Sequence, residues 1–342
     1  MILSVIIPVY KVEKFIADCL QSVMQQTYDR FECILIDDHT PDRSMAIVEQ
    51  LLDAYQGNIR FKLLRHQENQ GISATRNTGL SAAQGDYVTF IDSDDIILPD
   101  FVASFVEQAQ LHPGVDIIQS SFKDENHSIF STDDLPAYID HPHDIFRHYL
   151  HYHITWMVHA KFVRRQFLIG NALQFSQDIV IHEDLYWTYL VCQKAQTLAS
   201  TNKKVYIYRN VNPESIMHQS ANNFERSAHF YLMIIDRLRK QIREDCLTDN
   251  HFFLLNFFFY VTQQIQESSD ISPSTLQSAQ RLRGDYLRQA VQKGNFFEII
   301  YILHLYQPIS LLQKHFHFYR HRVIYKLERL ARWHYRHLPD KS

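Results

Sequence analysis

Apolar and polar positions exchange between two spacings along the first third of the chain. Residues 2–10 (ILSVIIPVY) form an unbroken apolar, β-branched run, and residues 14–26 (KFIADCLQSVMQQ) then place Phe15, Ile16, Leu20 and Val23 at helical spacing. The exchange repeats. Residues 31–38 (FECILIDD) predict a strand, 43–55 (RSMAIVEQLLDAY) a helix, 59–66 (IRFKLLRH) a strand, 71–83 (GISATRNTGLSAA) a helix opened by Gly71, and 86–95 (DYVTFIDSDD) a strand. Strand, helix, strand in repetition predicts an α/β fold with a mostly parallel sheet flanked by helices. Further on, 114–122 reads as a strand, 123–143 as a polar loop, 144–168 as resumed helix, 181–195 as a helix and 203–209 as a strand. From about Asn223 the pattern is helical nearly to the end, so the expected division is an α/β domain over 1–220 and a helical region over 221–342.

In parallel sheets ligands sit beyond the carboxyl ends of the strands. The ends predicted here are Pro8-Val9-Tyr10, Asp37-Asp38 and Asp92-Ser93-Asp94-Asp95, so separate strands deliver mostly acidic groups to one edge. Adjacent carboxylates in a turn are hard oxygen ligands suited to Mg²⁺ or Mn²⁺, and a cation would offset their mutual repulsion. An isolated acidic turn more often caps a helix or faces solvent. Its place after a strand, with acids at a neighbouring strand end, favours the ion site. Glu183 and Asp184 open a later helix, where both complement the helix dipole and either is a candidate base.

Four blocks, residues 5–28 (VIIPVYKVEKFIADCLQSVMQQTY), 33–44 (CILIDDHTPDRS), 66–80 (HQENQGISATRNTGL) and 85–95 (GDYVTFIDSDD), together resemble the amino-terminal domain of family-2 glycosyltransferases, which have the GT-A (Rossmann-like) fold. A weaker continuation reaches about residue 218 through TWMVHAKFVRRQFL, IHEDLYW and YRNVNPESIMH. The resemblance implies that Asp38 bonds the uracil of a UDP-sugar and that Pro8, Val9 and Tyr10 line the nucleotide pocket. It further implies that Arg76 lies against the donor, that Asp92 of the Asp92-Ser93-Asp94 motif touches the ribose and sugar, that Asp94 binds the metal, and that Asp184 is the general base. His39 stands where the family has a glycine after its paired acids, and TPDRS replaces the family's more common turn. The implied reaction is transfer of a sugar, with inversion, from a UDP-sugar to a hydroxyl of a glycan or lipid-linked acceptor, dependent on Mn²⁺ or Mg²⁺, in synthesis of bacterial surface polysaccharide or lipooligosaccharide. Such chemistry needs a stabilised leaving diphosphate and a carboxylate to take the acceptor proton. The alternatives are a nucleotide-sugar-binding partner without turnover, nucleotidyl transfer, whose glycine-rich phosphate loop is missing near the start, and glycoside hydrolysis, which uses a different pair of carboxylates.

Composition narrows the partners. A net charge of −4 argues against nucleic acid, and four cysteines without CxxC spacing argue against a zinc framework or disulfides. Twenty histidines are dispersed without an HExxH motif and read as compositional bias. No basic leader or membrane-length apolar run appears, so the expectation is a cytoplasmic protein. Near the end, Arg322, Lys326, Arg329 and Arg336 fall on one helical face opposite Val323, Leu327 and Leu330. That helix either packs internally or lies peripherally on an anionic membrane surface. Trp156, Lys161, Arg164 and Arg165 are candidates for an acceptor or pyrophosphate pocket, each with a core or solvated-face alternative, and His218 is a candidate loop ligand.

Overall fold

The computed structural model describes residues 3–124, 129–209, 212, 215, 224–241, 243–268 and 271–292. Contacts divide the chain into two compact units, one of residues up to 222 with 243–250, the other of 224–241 with 251–292. The candidate His218 and the basic helix around Arg322–Arg336 lie outside the described residues.

The first unit is built on a mostly parallel sheet. Strands β1 (Leu3–Val9), β2 (Phe31–Asp37), β3 (Arg60–Arg65) and β4 (Tyr87–Phe90) alternate with helices α1 (Ile16–Met24), α2 (Ser44–Ala54) and α3 (Ile72–Ala82). Next come β5 (Ile96–Ile97), α4 (Phe101–Leu111), β6 (Ile117–Asp124), β7 (Ile129–Phe130), β8 (Tyr138–Ile139), α5 (Pro142–Leu150), β9 (Lys161–Arg164), α6 (Arg165–Gly170), α7 (Glu183–Lys194) and β10 (Leu198–Tyr208). The ten-stranded sheet runs β3-β2-β1-β4-β9-β6-β10-β5, with β7 on β6 and β8 on β10. The pairs among β1–β4 are parallel, and β9 is antiparallel to both its neighbours.

Alternation along β1 explains the layers. Leu3, Val5, Ile7 and Val9 join Leu20 and Val23 in one buried cluster, while Ile6 faces α3. There Gly79 lets the helix lie directly on the sheet, since a Cβ would come 2.3 Å from an Ile6 methyl. On α7, Trp187 stacks on Phe175 at 4.6 Å, and both meet Phe90 edge-on at 5.7 and 5.1 Å. This aromatic wedge fixes the helix that carries Glu183 and Asp184.

The helix expected over 144–168 is not continuous. It stops at Leu150, Tyr152 takes a left-handed backbone (φ 63°), and Lys161–Arg164 becomes a strand. Phe162 packs on Phe105 at 4.3 Å and on Phe101 at 5.7 Å, while Val88 pairs with Val163 on the neighbouring strand. A vacant slot between β4 and β6 wins over helical spacing in so short a run, as context commonly does. The expected loop over 123–143 holds the two-residue strands β7 and β8, and β10 begins at Leu198, before the predicted 203.

The second unit contains helices α8 (Phe224–Leu238), α9 (Leu247–Glu267, whose first turn belongs to the first unit) and α10 (Pro273–Gln292). Leu232, Ile235, Phe258, Val261 and Leu282 form its core. Among the described residues, no helix is long and apolar enough to cross a membrane.

Gly85 sits where the chain enters β4, and a Cβ there would lie 2.7 Å from backbone atoms of Leu3 and Ser4. Gly85→Ala is therefore expected to destabilise the fold by about 1–3 kcal/mol. Gly170→Ala meets nothing within 4 Å and should change stability by less than about 0.5 kcal/mol. Urea unfolding of the two variants checks the contrast.

Candidate active site

Parallel register brings the strand ends together. Val9 lies opposite Asp37 and Ile6 opposite Phe90, the Asp38 amide donates to Val9 O at 3.1 Å, and the Ile91 amide to Ile6 O at 3.0 Å. The polar residues that follow each strand thus emerge on one edge. Tyr10 is exposed there, whereas Val9 is buried in the core. Asp38 is also buried, and its carboxylate is well occupied. Oδ1 accepts from His66 Nδ1 at 2.7 Å and the Gln70 amide at 2.9 Å, and Oδ2 accepts from the Gly71 amide at 2.9 Å. Three of roughly four acceptor positions are filled. Asp38 therefore organises the 66–71 turn that starts α3. His39 has φ 57°, a left-handed backbone that suits the glycine the family resemblance implies here. Histidine is among the side chains that adopt this left-handed conformation more readily than most.

Beside this turn, a cavity of about 170 Å³ is lined by residues that include Lys11, Lys14, Phe15, Pro41, Asp42 and Asn212. Asp42 organises its wall, accepting from the Thr40 and Ser44 hydroxyls at 2.8 and 2.6 Å.

The acidic turn is held from two sides by buried guanidinium groups. Arg76, on the second turn of α3, is 4% exposed. Its Nη2 donates to Asp92 Oδ1 at 2.9 Å and its Nη1 to Glu183 Oε1 at 2.5 Å, with the guanidinium 5.3 Å over the Phe175 ring. One side chain thus ties three elements together. On the other side, Arg209 directs Nη1 to Asp18 at 2.9 Å and Nη2 to Phe15 O at 3.3 Å, and its Nε bonds Asp94 O.

Within the turn the acids differ. Asp92 retains some exposure, and its second oxygen lies 4.0 Å from His159 Nδ1. Asp94 is partly buried, and its Oδ2 accepts from Asn212 Nδ2 at 2.9 Å. Burial, then the Asp92 charge, holds the Asp94 carboxyl above the usual range. Asp95 is fully buried, with Oδ2 accepting from Tyr206 Oη at 2.5 Å and Oδ1 from the Arg209 amide at 2.7 Å. Burial, then Asp92 and Asp94, pushes its pKa well up. Ser93 is buried between them. Neighbouring oxygen donors that resist carrying charge together fit a divalent cation, which removes the repulsion. One ligand atom from each of Asp92, Asp95 and His159 lies within 4.8 Å of the others. Asp94, the expected ligand, stands outside that trio.

Asp184 follows Glu183 on the first turn of α7. Its Oδ1 accepts from the Leu185 amide at 2.8 Å. Burial, then the Glu183 charge, pushes its pKa up to about 7, against the opposing pull of Arg76. The pair is therefore divided by its contacts. Glu183 is committed to Arg76, and Asp184 is left with a proton affinity suited to exchange near neutrality.

Other candidates resolve differently. Lys161 is fully buried, its ammonium bonded to Met157 O, and burial lowers its pKa to about 7. Arg164 pairs with Asp116 at 2.6 Å, and Arg165 Nε donates to Gly85 O at 2.7 Å. These three contacts support the sheet. Trp156 is exposed, and its carbonyl accepts from Thr188 Oγ1 on α7 at 2.7 Å. His66, His159, Tyr206, Arg209 and Asn212 join the site without having been singled out. The quoted blocks contain His66, His159, Arg209 and Asn212 without marking them out individually, and Tyr206 lies outside those blocks.

A family model described as glycosyl transferase family 2 matches residues 4–169. The chain is 29% identical over 228 residues to an uncharacterized glycosyltransferase, EpsJ, of Bacillus subtilis (strain 168), covering 63% of this chain and 62% of that protein. The chain thus spans about three fifths of the length of that relative. Among solved structures, Staphylococcus aureus TarS 1-349 in complex with UDP-GlcNAc superposes with a TM-score of 0.67 at 20% identity, covering 88% of this chain and 90% of that one. The mannosyltransferase PcManGT from Pyrobaculum calidifontis, in complex with GDP-Man and Mn²⁺, does so with a TM-score of 0.52 at 16% identity, covering 91% and 87%. These likenesses establish the fold, and the GT-A arrangement expected from the sequence is the one observed.

Arg76→Met would leave Asp92 and Glu183 without their shared cation. The expected loss is roughly 3 kcal/mol of stability in urea unfolding, the scale of breaking a buried ion pair on one side. Arg76→Lys should recover little, because a single ammonium cannot reproduce a fork that reaches two carboxylates.

Proposed function

The chain belongs to glycosyl transferase family 2 through residues 4–169, and we propose that it transfers a sugar from a UDP-sugar to a hydroxyl of a glycan or lipid-linked acceptor, with inversion at the anomeric carbon. The setting we propose is bacterial surface polysaccharide synthesis. The observation that carries this reading is the Arg76 bridge, which holds the acidic turn and the Glu183-Asp184 helix start on the same sheet edge.

In this reading Pro8, Val9 and Tyr10 border the nucleotide, and Asp38 offers its remaining acceptor position to the imide N–H of uracil. Asp92 faces the ribose and sugar, its orientation set by Arg76. Asp94 and its neighbours in the turn hold Mn²⁺ or Mg²⁺. When bound, the ion supplies positive charge that offsets the charge developing on the leaving diphosphate. Asp184 takes the acceptor's hydroxyl proton at a carboxylate oxygen as that hydroxyl attacks. Glu183 cannot compete for the role while its Oε1 accepts from Arg76. A single base without a carboxylate nucleophile opposite it supports direct displacement, hence inversion. UDP-GlcNAc in the TarS complex and Mn²⁺ in the mannosyltransferase complex support the donor class and the ion.

Incubating the full chain with UDP-sugars, Mn²⁺ and glycan or lipid extracts should release UDP. Asp94→Ala and Asp184→Asn should each lower that release by about 10²–10⁴-fold, with UDP binding by calorimetry retained in Asp184→Asn. Binding without release under every acceptor would favour the non-catalytic reading, and equal release from wild type and Asp94→Ala would refute the ion assignment.

The base must be ionised to act. With its pKa at about 7, kcat/KM should fall about tenfold per pH unit below that value and level off above it. Stability should move oppositely. Because the folded pKa lies above the ordinary carboxylate value of 3.8, stability is lost as pH rises from about 3.8 to about 7 and levels off above that. Asp184→Asn should accordingly raise Tm at pH 8 and leave it nearly unchanged at pH 4, as read by differential scanning fluorimetry.

A further inference from the structure

His159 reaches the acidic turn from the stretch between α5 and β9. Its ring is 2% exposed. It lies parallel to Tyr206 at 4.5 Å and 7°, nearly parallel to Tyr208 at 5.6 Å and 18°, and edge-on to Phe122 at 4.7 Å and 89°. Packing on that scale leaves the imidazole little freedom to turn, so its nitrogens have set positions. Nε2 is buried without a hydrogen-bond partner among the described residues. Nδ1 stands 4.0 Å from Asp92 Oδ2. That gap exceeds a hydrogen bond, so the imidazole does not rest on the carboxylate directly. A buried ring nitrogen left without a partner is costly.

The structure therefore presents two independent signs at one place. The first is crowded carboxylates, with Asp92 and Asp95 offering oxygens within 4.8 Å of an imidazole nitrogen. The second is the fixed imidazole itself, its Nδ1 facing Asp92 Oδ2 at 4.0 Å and its Nε2 without a hydrogen-bond partner among the described residues. We propose that His159 supplies a nitrogen ligand to the divalent cation held by the acidic turn, giving a mixed oxygen and nitrogen donor set that favours Mn²⁺ over Mg²⁺. The preference follows from ligand type. Mg²⁺ holds to oxygen donors and its own waters, whereas an imidazole raises affinity for transition ions. The proposal rests on the cation-binding reading of the turn and adds to it one residue and one selectivity.

Mn²⁺ is titrated into the full-length protein with UDP present, and binding is followed by electron paramagnetic resonance. Pulsed measurement of nitrogen modulation then reports whether a nitrogen ligates the ion. Wild type should show the modulation, His159→Phe should lose it, and His218→Ala should keep it. Phenylalanine preserves the stacking on Tyr206 and Tyr208. In His159→Phe the Kd for Mn²⁺ should rise roughly 10–100-fold, while that for Mg²⁺, measured by competition, stays within about threefold. Bound Mn²⁺ without nitrogen modulation in wild type overturns the assignment without recourse to any variant. Modulation that survives His159→Phe and disappears in His218→Ala overturns it as well. If wild type binds no Mn²⁺ at all, the cation-binding reading of the turn fails, and His159 with it.

Discussion

Everything at this sheet edge depends on how negative charge is held where water is scarce. Asp92, Asp94, Asp95, Glu183 and Asp184 come from two distant parts of the chain and crowd one region. Two buried guanidinium groups make the crowding tolerable. Arg76 stands between Asp92 and Glu183, and Arg209 wraps the turn from the side of α1. Arginine suits the task because its planar fork reaches two carboxylates at once and stays charged when buried. The balance is incomplete, as the raised proton affinities of Asp94, Asp95 and Asp184 show. A site left short of positive charge in this way is prepared to receive a cation.

The fold supplies the geometry that this electrostatics requires. Parallel pairing in register sets the ends of β1, β2 and β4 side by side, so the residues after each strand need no long excursion to meet. The close approach of α3 to the sheet at Gly79 puts Arg76, three residues earlier on the same helix, beneath the acidic turn. The wedge of Phe90, Phe175 and Trp187 then fixes α7 against β4, so the strand leading to the acidic turn and the helix carrying Glu183 and Asp184 share one packing contact. Arg76 lies against the same Phe175 ring. The apolar core and the polar bridge therefore reinforce the same alignment.

Much of this was legible in the chain itself, for identifiable reasons. The strand ends carrying Asp38 and Asp92–Asp94 follow continuous apolar runs, which leave little doubt about direction. The start of α7 is marked by its acid pair. Other features depended on tertiary context. The four residues of β9 sit in a stretch with helical spacing, and only the opening between β4 and β6 makes them a strand. The partners of Arg76 lie 16 and 107 residues away, at distances no local pattern reports. The positive φ of His39 explains an apparent departure from the family motif, but only once the backbone is seen. His159 lies within the block TWMVHAKFVRRQFL, but the aromatic rings that hold it come from distant strands and leave no local mark.

The division of labour between Glu183 and Asp184 shows how neighbouring carboxylates acquire different characters. Both begin α7, where the helix dipole favours negative charge, so position alone does not separate them. Contact does. The Glu183 oxygen nearest Arg76 is drawn into a charge-assisted bond with the guanidinium. That fixed anion then repels charge on Asp184, adding to the effect of burial, so the cost of ionising Asp184 is partly generated by its neighbour. Arg76 opposes both effects directly, its charge drawing the Asp184 pKa back down. The two carboxylates thus differ in their surroundings, Glu183 through its bridge to Arg76 and Asp184 through burial beside a neighbouring charge.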